Sequence, residues 1–338
     1  MEYRPLGRTG VHVSKLCLGT LMFGAWGNAD HDDSVRIIHR ALDAGINFVD
    51  TADVYSAGES EEIVGEALKD RRDDVVLATK FSGPMGEDPN RRGVSRRWII
   101  AEVENSLRRL RTDWIDLYQI HRPDPETDID ETLGALTDLV RQGKVRYIGS
   151  SSFSAGEIVE AQWAARERRL ERFRTEQPPY SLLVRGIELD VLPTARRQGM
   201  GILTYSPLSG GWLSGSWSAN SSPTSPSRQW VTARFDMSVL ENQRKLEAVD
   251  QLAKVADEAG VSLIELAIAF VTSHPAVTSA IIGPRTMEQL DSQLPAAEVE
   301  LDPATLDRID DIVQPGVNLN PADTSYGQPV LKPRLRRR

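Results

Sequence analysis

The feature that most limits what this chain can become is an alternation. Short apolar runs are followed, eight times over, by stretches with helical spacing of their apolar residues. The first pair shows the pattern. Leu16-Cys17-Leu18-Gly19-Thr20 reads as a buried strand, and beyond a Gly-rich loop Val35, Ile38 and Leu42 fall on one face of a helix over residues 32–44. Asp32 and Asp33 suit that helix's N-terminus, and Gly45 stands where a C-terminal glycine ends a helix. Further strands are predicted at residues 46–50, 75–80, 117–121, 145–150, 173–177, 201–205 and 279–282. Helices are predicted at 60–69, 95–109, 129–142, 154–166, 188–198, 241–259, 262–273, 286–294 and 303–313.

Strands joined by helices pair in parallel, with the helices packed outside. The same alternation allows an open doubly wound sheet, but the count and the length predict an α/β fold of the closed (β/α)8 kind, a TIM barrel. An N-terminal β-hairpin is expected over residues 3–13, turning at Arg8-Thr9-Gly10, and the last helices are extra to the barrel. With no internal repeat or break in composition, residues 1–315 read as one barrel domain and 316–338 as an irregular tail. Residues 214–230, rich in Ser and Pro, interrupt the pattern after the seventh strand, at a position where a lid over the mouth would sit.

Composition narrows the partners. The net charge of −9 and pI near 5.2 provide no basic field for nucleic acid or an anionic membrane surface. The basic end, Leu331-Lys332-Pro333-Arg334-Leu335-Arg336-Arg337-Arg338, reads as a solvated terminus. Cys17 is the single cysteine, which excludes an internal disulfide and suits a reducing, cytoplasmic setting. Met1-Glu2-Tyr3-Arg4-Pro5 lacks the apolar run of a signal peptide, and no apolar run is long enough for a membrane span. His12, His31, His39, His121 and His274 are scattered without metal-ligand spacing, so no metal site is expected.

In a barrel the C-terminal ends of the strands converge on one mouth. Asp50 ends the second strand with Tyr55 just beyond it, Lys80 ends the third and His121 the fourth. A tyrosine is a weak acid, with a reference pKa of about 10. A neighbouring ammonium stabilises its phenolate, a carboxylate beside the lysine holds the ammonium in place, and a histidine can polarise a carbonyl oxygen. Taken singly, each has an ordinary reading: Asp50 as a cap, Lys80 as a solvated strand end, His121 as a loop histidine, Tyr55 as packing. Their placement at successive strand ends favours a group that protonates an oxygen as negative charge develops on it, the acid half of carbonyl reduction.

The residues at these positions resemble a known family. Asp50-Thr51-Ala52-Asp53-Val54-Tyr55, Ala78-Thr79-Lys80 and Asp116-Leu117-Tyr118-Gln119-Ile120-His121-Arg122-Pro123-Asp124 are similar to segments of the aldo-keto reductases. Pro5-Leu6-Gly7-Arg8-Thr9-Gly10 and Gly58-Glu59-Ser60-Glu61 resemble the bacterial branch related to potassium-channel β subunits. The resemblance extends over about residues 3–313. It implies a (β/α)8 barrel, a nicotinamide cofactor bound across the mouth, and a catalytic tetrad of Asp50, Tyr55, Lys80 and His121. Two commoner dehydrogenase designs are argued against independently: no G-x-G-x-x-G follows a strand, and no tyrosine has a lysine four residues on.

The resemblance also implies cofactor contacts. Gly19, Thr20 and Leu21 follow the first strand near the nicotinamide ribose, with Asp50 beside them. Ser151, Ser152 and Gln177 would hold the carboxamide, Ser152 replacing a more usual asparagine. In Tyr205-Ser206-Pro207-Leu208-Ser209-Gly210-Gly211-Trp212, Tyr205 would lie against the nicotinamide. Ser206, Pro207 and the backbone at Leu208, Gly210 and Trp212 would meet the pyrophosphate. After the last strand come Gly283, Arg285, Gln289 and Gln293, at the adenosine end, where Gln293 replaces a common asparagine. A helix start favours an anion, and Arg285 can pair with a 2′-phosphate, which points to NADPH/NADP+. The expected partner is a small-molecule carbonyl substrate contacted by Tyr55, His121 and Trp26, with Phe23, Trp212, Trp217 and Trp230 as further wall candidates. The resemblance allows one other role, an NADP(H)-binding sensor or subunit with slow turnover.

Overall fold

The computed structural model describes residues 1–217 and 232–324. Strands β1 (Tyr3–Pro5) and β2 (His12–Ser14) form the antiparallel hairpin. The next eight strands close a barrel: β3 (Leu16–Gly19), β4 (Phe48–Asp50), β5 (Val76–Phe81), β6 (Ile115–Ile120), β7 (Val145–Ser151), β8 (Thr175–Gln177), β9 (Gly201–Thr204) and β10 (Ser279–Ile282). They run in sequence order around the barrel, β10 closing on β3, and every neighbouring pair is parallel. The open sheet is thereby excluded.

The period of two along a strand builds the interior in layers. Cys17, Phe48, Ala78, Leu117, Leu203 and Ile281 form an inner apolar cluster, joined by Leu6 and Val13 of the hairpin. The hairpin seals the end where the strands begin. Gly7 shows how tightly: at φ +56° it takes the left-handed conformation, and a Cβ there would come 2.7 Å from the Gly201 nitrogen. Two residues further along each strand, the same inward face carries Gly19, Asp50, Lys80, Gln119, Tyr205 and Gly283. The apolar layer is the floor on which the site stands.

Helices α1 (His31–Asp43), α2 (Glu59–Ala67), α3 (Arg96–Leu110), α4 (Ile129–Arg141), α5 (Ala155–Arg168), α6 (Val191–Gln198), α7 (Leu240–Ala259), α8 (Leu263–Ser273), α9 (Met287–Gln293) and α10 (Pro303–Ile312) belong to the outer layer. Their apolar faces, among them Ile38, Ile63, Val103, Leu136, Ile158 and Leu266, are buried in the larger core between helices and barrel. Local sequence sets several starts. Ser154 with Glu157 and Ser262 with Glu265 form reciprocal capping boxes.

Three boundaries differ from the expected ones for visible reasons. Strand β4 begins at Phe48 rather than at residue 46, because Asn47 ties its side chain to the hairpin through Ser14 N (2.8 Å) and His12 O (3.1 Å). The helix expected over 188–198 starts only at Val191, because Glu188 is held by Arg185 and Tyr180 (2.8 and 2.7 Å) in a preceding 3-10 turn. Strand β6 ends at Ile120, yet His121 N still reaches Phe81 O at 2.8 Å, so His121 continues the strand's direction.

After α10 the chain folds back along the barrel. Asn318 pairs with Val184, and Asp323 is buried between Lys245 and Arg234. Most of the expected lid over 214–230, including Trp230, and the basic end at 331–338 lie outside the described residues. Among the described residues, no helix is long and apolar enough to cross a membrane, and no cluster of side chains has the makings of a metal site.

Candidate active site

Register brings the strand-end residues together. Gly19 pairs with Asp50 across β3 and β4, Asp50 with Ala78 across β4 and β5, and Lys80 with Gln119 across β5 and β6. Lys80 Nζ, fully buried, donates to Asp50 Oδ1, to the Thr51 carbonyl at 2.8 Å and toward the Tyr55 hydroxyl at 3.4 Å. Asp50 Oδ2 accepts from Gln177 Nε2 at 2.9 Å and Gln119 Nε2 at 3.3 Å. The His121 ring stands edge-on to Tyr55, with centroids 5.7 Å apart and planes 79° apart. Trp26 lies on another side of Tyr55, at 6.4 Å. The four strand-end residues and Trp26 thus form one group.

Burial shapes their acidity. It would lower the Lys80 ammonium on its own, but the attraction of Asp50 and then of Tyr55 outweighs it and holds the pKa above the ordinary lysine value. Burial pushes the Tyr55 phenol up, opposed by Lys80 and Arg122, and the net shift is upward. Lys80 lowers the phenol's pKa, as expected of a neighbouring ammonium, but burial is the larger cause. His121 is held well below the usual histidine range, first by burial and then by the charges of Lys80 and Arg122, so its ring is neutral near pH 7.

A cavity of about 620 Å³ opens over this group. Its lining includes Gly19, Thr20, Leu21, Trp26, Asp50, Tyr55, His121, Ser151, Gln177, Tyr205, Ser206, Pro207, Leu208, Gly210, Gly283, Arg285, Gln289 and Gln293. Lys80 is behind this surface, and Trp217 is on it. Ser152 adjoins through its hydroxyl, which meets the Arg122 guanidinium and the Tyr205 hydroxyl (3.3 Å). The side chains of two wall candidates point elsewhere. Trp212 is fully buried, stacked on Trp217 at 3.9 Å, with its indole N–H donated to Arg234 O. Phe23 is likewise buried in the outer core rather than on the cavity wall.

The backbone at the mouth is conformationally unusual. Ser56, Ala57, Ser82, Ser152, Ser206 and Ser209 all have positive φ, in loops that follow barrel strands. Non-glycine residues rarely adopt this conformation, and it collects where surrounding contacts impose it at functional sites. At Ser152 (φ +61°) the turn is held by buried Glu176, which accepts from Ser150 Oγ (2.5 Å) and Phe153 N (3.0 Å). Burial raises that carboxyl to about 8.

A sequence model described as the aldo/keto reductase family matches residues 15–314. The chain belongs to the aldo/keto reductase family. It is 43% identical over 324 residues to a protein of Bacillus subtilis (strain 168) named "Uncharacterized oxidoreductase YrpG", covering 92% of this chain and 96% of that one. It is 38% identical to "Aldo-keto reductase YhdN" of the same organism, over 86% of this chain and 87% of the relative. A "Probable voltage-gated potassium channel subunit beta" of Arabidopsis thaliana is 36% identical, with 93% and 97% covered. As an aldo/keto reductase family member, the chain is an oxidoreductase on the (β/α)8 barrel.

Within this aldo/keto reductase barrel, three polar residues near the tetrad positions had escaped the sequence reading. Gln119 binds Asp50 from β6, Arg122 follows His121 into the cavity, and Arg234 lines it from beyond the described break. Gln119 had a signal: it lies two residues before His121, on the same inward face of a strand otherwise buried among apolar neighbours. Arg234 had none, because its place depends on a buried bond to Asp323 (3.0 Å), 89 residues away.

Proposed function

We propose that this aldo/keto reductase family member is an NADPH-dependent enzyme reducing aldehydes and ketones to alcohols, with Tyr55 as proton donor. The observation that carries the reading is the position of Lys80, bound to Asp50 and 3.4 Å from the Tyr55 hydroxyl beneath the cavity.

The residues present fit a nicotinamide dinucleotide. A Cβ added at Gly211 or Gly283, both on the lining, would meet no atom of the described residues within 4 Å beyond its chain neighbours, which leaves backbone open to an incoming group. Gln293 Oε1 is buried without a partner among the described residues and lines the same cavity as Gln289 and Arg285. Tyr205 offers an aromatic wall, and Ser151, Ser152 and Gln177 stand beside it as carboxamide partners. Because α9 has only seven residues, anion recognition there is assigned to the Arg285 side chain rather than to the helix.

When bound, the reduced nicotinamide supplies a hydride to the carbonyl carbon. Tyr55 gives its hydroxyl proton to the carbonyl oxygen. The Lys80 ammonium then faces the phenolate, and Asp50 fixes that ammonium with Gln119 and Gln177 orienting the carboxylate. His121, neutral, holds the oxygen in line with Tyr55.

A second reading has support in the plant relative named a probable channel β subunit: a protein that binds NADP(H) and turns over slowly. Multi-turnover NADPH oxidation with several small aldehydes separates the two. Sustained oxidation supports the reductase. Tight NADPH binding without turnover supports the sensor and removes the reductase reading.

A further inference from the structure

The cavity's charge is opposite in sense to that of the protein. The chain carries 49 acidic against 40 basic residues. The described lining carries three arginines, Arg122, Arg234 and Arg285, and one carboxylate, Asp50. Asp50 is bound to Lys80, and Arg234 is bound by buried Asp323 at 3.0 Å. Arg285 stands at the end assigned above to the dinucleotide. Arg122 stands next to His121, between it and the Ser152–Tyr205 wall.

Several contacts fix Arg122 there. Its backbone N–H is held by Ser82 Oγ at 3.2 Å, its guanidinium donates to Ser152 Oγ, and its Cζ lies 5.8 Å from the centre of the Tyr205 ring. Its charge acts on both Tyr55 and His121, the two side chains that would take the carbonyl oxygen. Arg122 also lines a second, polar cavity of about 510 Å³, where Arg92 and Arg122 face the carboxylates of Asp124 and Glu126. Asp124, on the wall of that cavity, is occupied by Thr127 Oγ1 and Glu126 N (both 3.0 Å). A group extending from the carbonyl toward Arg122 therefore meets a guanidinium. A planar guanidinium recognises a carboxylate or a phosphate through paired N–H donors.

We propose that Arg122 is a specificity-determining residue that selects carbonyl substrates bearing an anionic group, a carboxylate or a phosphate, beside His121. The inference rests on the reductase reading for its substrate but on the cavity's own charge for its ligand. It assigns Arg122 to substrate and leaves proton donation to Tyr55.

One para-substituted series tests it: 4-carboxybenzaldehyde, 4-formylphenyl phosphate and methyl 4-formylbenzoate, assayed by NADPH oxidation with wild type and Arg122→Gln. Loss of one charge-assisted contact corresponds to roughly ten- to a hundredfold in kcat/KM. Wild type is expected to favour the two anionic aldehydes over the ester by that factor, and Arg122→Gln to bring the ratio of anionic to ester kcat/KM to about one, whatever the change in the ester rate itself. Arg122→Lys, which keeps the charge, retains part of it. The two anionic arms show whether carboxylate or phosphate is the better fit. Equal kcat/KM for all three in wild type overturns the proposal. So does an Arg122→Gln protein that loses the same factor on every substrate or binds NADPH more weakly, since Arg122 would then serve the cofactor. Titration of the NADP+ complex with 4-(hydroxymethyl)benzoate reads the anion site without turnover. Arg122-dependent binding in a protein that reduces none of the aldehydes keeps the anion site and removes the reductase reading.

Discussion

Lys80 Nζ donates to Asp50 Oδ1 and lies 3.4 Å from the hydroxyl of Tyr55. One buried ammonium thus serves a carboxylate that holds it and a phenol it can stabilise. Gln119 and Gln177 occupy the other carboxylate oxygen, so Asp50 is not left to accept a proton from substrate.

Replacing Tyr55 by Phe removes the proposed donor and little else. The expected loss in kcat is on the order of 10² to 10⁴, the usual worth of a general acid. The dissociation constant for NADPH, read from tryptophan fluorescence, should stay nearly unchanged. Because burial raises the phenol's pKa, reduction should be level from neutral pH upward and fall only above about pH 10. Near-full turnover in Tyr55→Phe would remove the residue from the chemistry.

Arg285→Ala tests the choice of dinucleotide. A lost pairing with a 2′-phosphate should weaken NADPH by roughly ten- to a hundredfold and leave NADH unaltered. Equal losses for both cofactors would speak against a contact to that phosphate.

Asp53 bears on stability. It is fully buried, and among the described residues its carboxylate has no side-chain hydrogen-bond partner, only the nearby Val54 backbone N–H, which opposes the rise in its pKa. Burial pushes its pKa well above the carboxylate range, with Glu61 and Glu102 adding to the effect. The folded chain keeps this proton to higher pH than the unfolded chain, so the native state binds more protons across the window between. The stabilisation is full below about pH 4 and is lost as pH rises through the folded value. Asp53→Asn should flatten that fall, measured as urea midpoints at about pH 5 and pH 8. An unchanged slope would place the titration on another group.

Asp323 binds Lys245 at 2.9 Å and Arg234 at 3.0 Å, all three buried. Removing the carboxylate leaves two cations in a medium that penalises charge. Asp323→Ala should cost roughly 3–5 kcal/mol, visible as a lower calorimetric midpoint. It should also loosen Arg234 from the cavity wall, whereas Asp323→Asn should retain part of the geometry. A midpoint unchanged by Asp323→Ala would count against the bridge as a structural element.

Much of the barrel was legible because its cause is local. Apolar residues at helical spacing and short apolar strands impose their periods wherever the chain goes, and eight such pairs have few ways to bury both faces. The same period of two puts Asp50 and Lys80 one inward step beyond Phe48 and Ala78, and Tyr205, which only the resemblance had named, one step beyond Leu203. Trp212 was less legible. Its neighbours in sequence border the cavity, but its ring is held in a stack with Trp217 and by Arg234 O, contacts that local pattern does not encode.

The sequence by itself determined the alternation, the hairpin, the inward positions and the residue types at the strand ends. Tertiary structure decided which of those side chains meet. Gln177 reaches Asp50 across 127 residues only because β3 to β10 close into a ring. It also decided the acidities: Tyr55 is raised rather than lowered and His121 is neutral, because burial depends on everything packed around them. Backbone periodicity is a property of neighbours along the chain. Desolvation and charge contact are properties of neighbours in space, and these exist only once the barrel has closed.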